Sequence, residues 1–342
     1  MADTRLIMDR KFVKVLLTGA TGFIGAAILR RLSREDLSIR VLVRETSDRA
    51  LLRNFDTEIS VGDLRDKTSL RHALRDCDAL IHTAAEYRLW TADPSSMIAS
   101  NITGTANVLS AAGEAGVSNI VYTSSVAALG RATGDEPATE ATPSKLEDKI
   151  GLYKRSKFLA EQEVLHIHQA QGLPVKIVNP SAPIGPGDIK PTPTGRLVVE
   201  VAKGKVPAYV DSGLNVVHID DVAEGHWLAL HKGVPGEKYI LGGENMTLLE
   251  ILTHIANFAG VRPPMMRVPH NIVLPVAYIS EAWAKWVTGK EPFTTVDGVN
   301  MSRKPMYFSS KKAKDDLGYS PRPAITAFQD SIDWFRSHGY LG

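Results

Sequence analysis

Glycines at positions 19, 22 and 25 separate an apolar, β-branched run, Phe12–Leu17, from a helical pattern that begins at Phe23 and continues through Leu32. A strand that ends in Thr18-Gly19-Ala20-Thr21-Gly22-Phe23-Ile24-Gly25 has to turn tightly and start a helix at once. Gly19 permits the turn, Gly22 removes the side chain where backbone would approach a ligand, and Gly25 lets the helix lie close on the strand. The first N–H groups of that helix have no partners within it, so they favour an anionic group such as a pyrophosphate.

Spaced glycines gain weight when they head a series of alternating strands and helices. Short apolar runs recur at Ile39–Val43, Glu58–Val61, Ala79–His82, Asn119–Thr123 and Val175–Val178, with helix-period stretches between them, including Ile98–Ala112 and Tyr153–Gln169. This βαβ alternation predicts an α/β fold, a Rossmann-type doubly wound parallel sheet whose ligands bind beyond the carboxyl ends of the strands. Five prolines between Asn179 and Thr194 break the alternation. The expected division is a nucleotide-binding domain over residues 12–180, with some later segments returning to it, and a smaller α+β substrate domain over residues 181–342.

The rest of the composition is ordinary for a globular chain: 342 residues, 44% apolar and 23% charged, with 40 basic against 38 acidic side chains. A net charge of +2 is too near balance for electrostatic capture of nucleic acid to be the main activity, so a small-molecule partner is expected. Cys77 is the only cysteine, which excludes an internal disulfide. The first residues, Met1 to Lys14, lack the apolar stretch and cleavage site of an export signal, and a cytoplasmic location is expected. His166 and His168 lie two apart on a helix and point in nearly opposite directions, so no metal site is expected.

Arg44 stands at the end of the second candidate strand, where an NAD-binding turn places an Asp or Glu for the ribose 2′-hydroxyl. An arginine there clamps a 2′-phosphate with charge-assisted hydrogen bonds, so NADP is expected in preference to NAD, with Arg49 assisting. Asp63 and Leu64 follow the third strand; the Asp63 carboxylate either accepts from the adenine amino group or caps a helix. Tyr153 and Lys157, four apart, share a helix face. An ammonium beside a phenol favours the phenolate, which would bring Tyr153 towards neutral pH as a proton carrier while Lys157 holds the ribose hydroxyls. Thr123, Ser124 and Ser125 end the fifth strand on the cofactor side, where a hydroxyl can hold a substrate carbonyl; Ser125 is the choice and Ser124 the alternative.

These motifs, with His82-Thr83-Ala84-Ala85 and Asn101-Ile102-Thr103-Gly104-Thr105-Ala106-Asn107-Val108, resemble the extended short-chain dehydrogenase/reductase superfamily from Phe12 to about Tyr340. The chain is similar to its dihydroflavonol-reductase-like branch. Through residues 179–196 and Val296-Asp297-Gly298-Val299 it looks most like the hopanoid-associated sugar epimerases. The resemblance implies that Ser125, Tyr153 and Lys157 are the catalytic set, that Asn101 supports them beneath the nicotinamide, and that Thr83, Ala84, Ala85 and Pro180 line the cofactor. It implies a carbonyl, alcohol or sugar-like substrate, lipid-linked in the hopanoid case, and either reduction or epimerisation. Sugar-nucleotide dehydratases of the superfamily carry an acidic pair after the strand-end threonine; Ser124 and Ser125 follow Thr123 here, which argues against dehydration. A homodimer is also implied, through Ile98–Ala112 and Tyr153–Gln169, where Ala99, Val108, Ala111 and Ala112 in the first helix, with Phe158, Ala160 and Leu165 in the second, include more apolar positions than one core-facing stripe needs.

Two stretches remain open. Ala85-Glu86-Tyr87-Arg88-Leu89-Trp90 either walls the substrate pocket with aromatics or packs beneath the second domain. Residues 271–287, in which only Glu281 and Lys285 are charged, contain Trp283 and Trp286 three apart. They form either a helix with its tryptophans in the core of the second domain or one lying peripherally in a membrane interface.

Overall fold

A computed structural model of the protein describes residues 13–87, 94–132, 136–288, 292 and 294–342. The first six strands are β1 (Lys14–Thr18), β2 (Ser38–Val43), β3 (Glu58–Val61), β4 (Ala79–His82), β5 (Asn119–Thr123) and β6 (Val175–Pro180). After them come β7 (Ala182–Ile184), β8 (Ala208–Tyr209), β9 (Gly213–His218), β10 (Lys238–Leu241), β11 (Glu244–Thr247) and β12 (Met266–Arg267). Among the described residues one seven-stranded parallel sheet runs in the order β10-β6-β5-β4-β1-β2-β3. Strand order reverses beside β1, and the crevice beyond β1 and β4 is therefore the switch point where ligands bind.

Continuous apolar strands form such a sheet because both faces are covered. On one face packs α1 (Phe23–Leu32), through Ile28 and Leu29, joined by two helices from late in the chain; on the other pack α2 (Lys67–Leu74), α4 (Gly104–Glu114) and α5 (Leu152–Gln171), through Leu70, Val108, Leu109, Ala160 and Val164. Val108, Ala111, Ala112 and Ala160 are thus buried in the chain's own core and are not surplus apolar surface. The single helix expected over Ile98–Ala112 is broken into α3 (Pro94–Ile98), a π-turn over Ala99–Thr103, and α4. The π-turn accommodates Asn101, whose side chain is buried and bonded to neighbouring backbone.

The later helices are α6 (Pro193–Ala202), α7 (Ile219–Lys232), α8 (Leu248–Ala259), α9 (His270–Trp283), α10 (Val296–Ser302), α11 (Lys311–Leu317) and α12 (Ala324–Ser337). α7 and α11 return to the main sheet beside α1, while α6, α8 and α12 enclose a second core around Val198, Ile251, Ile255, Phe328 and Phe335. His218 caps α7: its ring accepts the Asp220 N–H at 3.0 Å, and Asp221 binds Arg322 at 2.9 Å.

Gly25 shows how tightly the first turn is packed. A Cβ there would lie 2.0 Å from the Gly19 carbonyl oxygen, whereas a Cβ on Gly172, at the left-handed end of α5, would meet nothing within 4 Å. Gly25→Ala should therefore cost about 3 kcal/mol or more through backbone displacement, and Gly172→Ala only ~1 kcal/mol for its dihedral. Urea unfolding of the two variants side by side checks the contrast.

Candidate active site

The crevice begins where β1 and β4 end. Thr18, the last residue of β1, accepts the backbone N–H groups of Thr83 and Ala84 at 3.2 and 3.1 Å on its hydroxyl and gives its own proton to His82 Nδ1 at 2.7 Å. His82 Nε2 then donates to Thr105 Oγ1 at 3.1 Å. Burial holds this ring neutral, down to about 3. The residue 83–85 segment is thereby held against the glycine turn, where Gly19 adopts φ +80° with no room for a side chain beside Ala84.

At Gly22 a Cβ would meet no atom closer than 3.4 Å, and no side chain caps the first N–H groups of α1. This open, side-chain-free cradle at a helix N-terminus fits a dinucleotide pyrophosphate. Thr21, Phe23 and Ile24 lie along the same turn. Arg44 is exposed at the end of β2. Asp63 does not cap a helix: Asp66 caps α2, and the Asp63 oxygens are taken by Arg65 at 2.8 and 3.0 Å, which holds the carboxyl below the ordinary aspartate value.

On the other side of the crevice α5 brings Tyr153 and Lys157 to the end of β5. Gly151 starts this helix at φ +82° without a side-chain cap. The Ser125 hydroxyl beside Tyr153 pulls the phenol down, but burial outweighs it and pushes Tyr153 up to about 12. The expected lowering by Lys157 is not found. The amine instead donates to the Thr123 carbonyl at 2.8 Å and lies 3.5 Å from the Tyr122 hydroxyl. Burial lowers Lys157 to about 8, opposed by the Glu161 carboxylate.

Ser124 is turned away from the crevice. Its hydroxyl donates to Glu161 Oε2 at 2.5 Å, an oxygen that also accepts Asn179 Nδ2 at 2.7 Å, while Ser125 Oγ accepts only the Ala127 N–H at 3.1 Å on this side. Geometry thus separates two adjacent serines that are alternatives in the sequence. Sequence motifs do not single out Glu161, although its place one turn after Lys157 puts it on the same helix face. Asn101 spans the site, accepting the Glu86 N–H at 2.7 Å and donating to Ser156 Oγ at 3.1 Å. Tyr87 packs on Tyr153 with ring centroids 4.4 Å apart, so one aromatic of the 85–90 segment does face the site; Arg88, Leu89 and Trp90 lie outside the described residues. A further chain of groups runs inward from the crevice: Thr83 Oγ1 to Thr123 Oγ1 at 3.0 Å, Thr123 Oγ1 to His226 Nε2 at 2.9 Å, and His226 Nδ1–H to the Val222 carbonyl at 2.7 Å. Pro180 ends β6 beside Leu241.

The model of the NAD dependent epimerase/dehydratase family matches residues 15–242, which hold all of these groups. The chain belongs to that family. Within it, the protein is 42% identical over 329 residues, 95% of each chain, to a Synechocystis protein named as a dihydroflavonol 4-reductase. It is 31% identical over 327 residues, 95% of this chain and 99% of the other, to sterol demethylase protein B of Methylococcus capsulatus. The solved structure of gox2253, 50% identical, superposes with a TM-score of 0.87 over 96% of this chain and 99% of that one. The protein is thus an extended short-chain dehydrogenase/reductase of the dihydroflavonol-reductase-like branch, in a family whose members use a nicotinamide cofactor.

Two of the buried histidines, His82 and His226, give the site a pH signature, and His218, also lowered by burial, acts in the same sense. His226 is held neutral by burial, down to about 4, so between that value and about pH 6.5 the unfolded chain binds two protons that the native fold refuses at His82 and His226. Their contribution is complete above about pH 6.5 and is lost as pH falls. Asp188, raised to about 6 by burial, works in the opposite sense below that pH. The expected net loss is roughly 1 to 3 kcal/mol per pH unit, and His226→Gln should flatten it in urea titrations between about pH 7 and 5.

Proposed function

We propose that this family member is an NADP-dependent carbonyl reductase, or alcohol dehydrogenase in reverse, acting on a lipophilic small molecule. The observation that carries the reading is the Tyr153 phenol at the carboxyl end of β5, packed against Tyr87 one helical turn from the Lys157 amine, and kept protonated by burial with the Ser125 hydroxyl beside it. A phenol of that strength is a poor base at neutral pH and a ready donor to a carbonyl oxygen that is gaining negative charge. A bound nicotinamide supplies hydride exchange at the substrate carbon. Tyr153 gives the proton, Ser125 orients the carbonyl oxygen, and Lys157 holds ribose hydroxyls with the N–H that Thr123 and Tyr122 leave over. Gly19, Thr21, Gly22, Phe23, Ile24 and Gly25 would cradle the pyrophosphate, and Thr83, Ala84, Ala85, Asn101, Thr123 and Pro180 would surround the nicotinamide half. Asp63 and Leu64 would meet the adenine through backbone and rim contacts, since Arg65 holds the carboxylate.

In this reading residues 12–180 with β10 hold the nucleotide and residues 181–342 hold the substrate. The exposed Ile98 and Leu159 would meet a second subunit. A lipophilic substrate is supported by the sterol in the name of the Methylococcus relative and by the likeness to hopanoid-associated proteins. The family's own description supports a second reading, epimerisation of a nucleotide- or lipid-linked sugar by oxidation and re-reduction of one carbon. Cofactor that co-purifies and never exchanges would favour it.

Tyr153→Phe should lower carbonyl reduction at least about a thousandfold while NADP affinity stays near that of the parent, since the change deletes a proton and no ribose contact. Normal turnover by this variant would remove Tyr153 as the acid. Arg44→Asp should weaken NADP binding by roughly tenfold or more and improve NAD binding, because it replaces a partner of the 2′-phosphate with a repelling carboxylate. Fluorescence titration with both cofactors reads the switch, and equal parental affinities for the two would defeat the NADP assignment.

A further inference from the structure

α9 is built inside out. Towards the fold it turns Ala277, which is buried, the half-buried Val273 and Leu274, and two polar groups: Ser280 accepts the Thr294 N–H, and Glu281 accepts the Val296 N–H at 2.8 Å. Its solvent side carries Ile272, Val276, Ile279 and Trp283 at successive helical turns, and Trp286 and Val287 continue the stripe in the adjoining π-turn. Ile279 is 70% exposed, Trp283 61% and Trp286 79%. The tryptophans therefore do not enter the second core, contrary to one of the two readings of this stretch. Met265 and Met266, just upstream, are exposed as well. A helix that only covered a domain would reverse this arrangement, because apolar side chains gain most from facing inward. Contiguous exposed apolar surface of this kind marks a contact with another phase or molecule.

The surrounding charge indicates which. Among the described residues from 262 to 304, every exposed charged side chain is basic: Arg262, Arg267, Arg303 and Lys304. Arg267 is paired with Asp211, and Arg303 reaches Asn271 at the start of α9. A second copy laid on this face would set one basic rim against another, whereas an anionic lipid surface would meet the rim with opposite charge. Tryptophan, with an apolar body and one N–H, is the side chain suited to the level of lipid headgroups. No helix among the described residues is long and apolar enough to cross a bilayer, so the contact is peripheral.

The face also leads to the site. α10 packs on α9, and its Asp297 and Met301 share a small cleft with Gly151, Tyr153 and Lys154. We propose that α9 and its π-turn lie in the headgroup layer of anionic membranes and present the substrate cleft to lipid-dissolved substrate. The delivery role rests on the lipophilic-carbonyl reading of the site, while the docking itself does not. The test is flotation of the full chain with vesicles of phosphatidylcholine alone or mixed equally with phosphatidylglycerol, together with tryptophan fluorescence. The parent should float with the mixed vesicles, shift its emission to shorter wavelength and release as salt is raised. Trp283→Ser/Trp286→Ser should reduce partitioning roughly tenfold or more, and Arg303→Glu/Lys304→Glu should remove the preference for phosphatidylglycerol; circular dichroism confirms that both are folded. No flotation of the parent, or equal flotation of the folded tryptophan variant, overturns the proposal. So does loss of an oligomer in sedimentation of that variant without any vesicle binding by the parent, which would assign the face to a second copy. Carbonyl-reduction assays that follow NADPH oxidation in detergent leave these outcomes untouched and test the functional reading separately.

Discussion

The hydroxyl of Thr18 is the point on which the crevice is hung. The parallel ladder between β1 and β4 stops at the pair Thr18 and His82, and beyond it no strand pairing fixes how far the two chains separate. One buried oxygen does so, holding two backbone N–H groups of the 83–85 segment and the His82 ring. Through Thr105 the same network extends to the Tyr122 hydroxyl and the Lys157 amine. Its side-chain members bond away from water, so an orphaned one would cost about 1 to 3 kcal/mol, and the 83–85 segment beside the glycine turn is tied to the helix that carries Tyr153.

Lys157 raises the problem of a cation inside the protein. It is 3% exposed, and a buried ammonium without a counter-charge would neutralise. Glu161, one turn further along α5, supplies the charge, and its oxygens are in turn satisfied by Ser124, Asn179 and Lys238. The acid is thus kept behind the lysine, away from the crevice, which leaves hydroxyls and one amine to face a ligand.

Much of this is legible in the sequence because it depends on local pattern. Strands Glu58–Val61, Ala79–His82 and Asn119–Thr123 coincide with their apolar runs, and α1 spans Phe23–Leu32 as its periodicity predicts. Departures arise where a distant partner decides. The π-turn at Asn101 answers to backbone at Glu86, the orientations of Ser124 and Ser125 follow from Glu161 and Asn179, and the Tyr153 phenol responds to burial more than to the lysine beside it. A helical wheel shows that residues 272–287 have an apolar stripe, but not which side of it meets the protein; Ser280 and Glu281, by binding the 294–296 segment, settle that.

The chain of groups from Thr83 to His226 has a direction. A carbonyl can only accept, so the proton of the neutral His226 ring sits on Nδ1 facing Val222, and Nε2 has to accept from Thr123. Thr123 in turn can only accept from Thr83. The Thr83 hydroxyl therefore comes to the crevice with its proton already committed inward and offers lone pairs alone. Whatever atom rests against it must bring a hydrogen of its own: an amide nitrogen or a hydroxyl finds a partner there, and a bare carbonyl or phosphate oxygen meets repulsion. The polarity of one hydroxyl at the mouth is thus dictated by a peptide carbonyl on a helix much later in the chain, and it reads the orientation of a bound ligand without any charge.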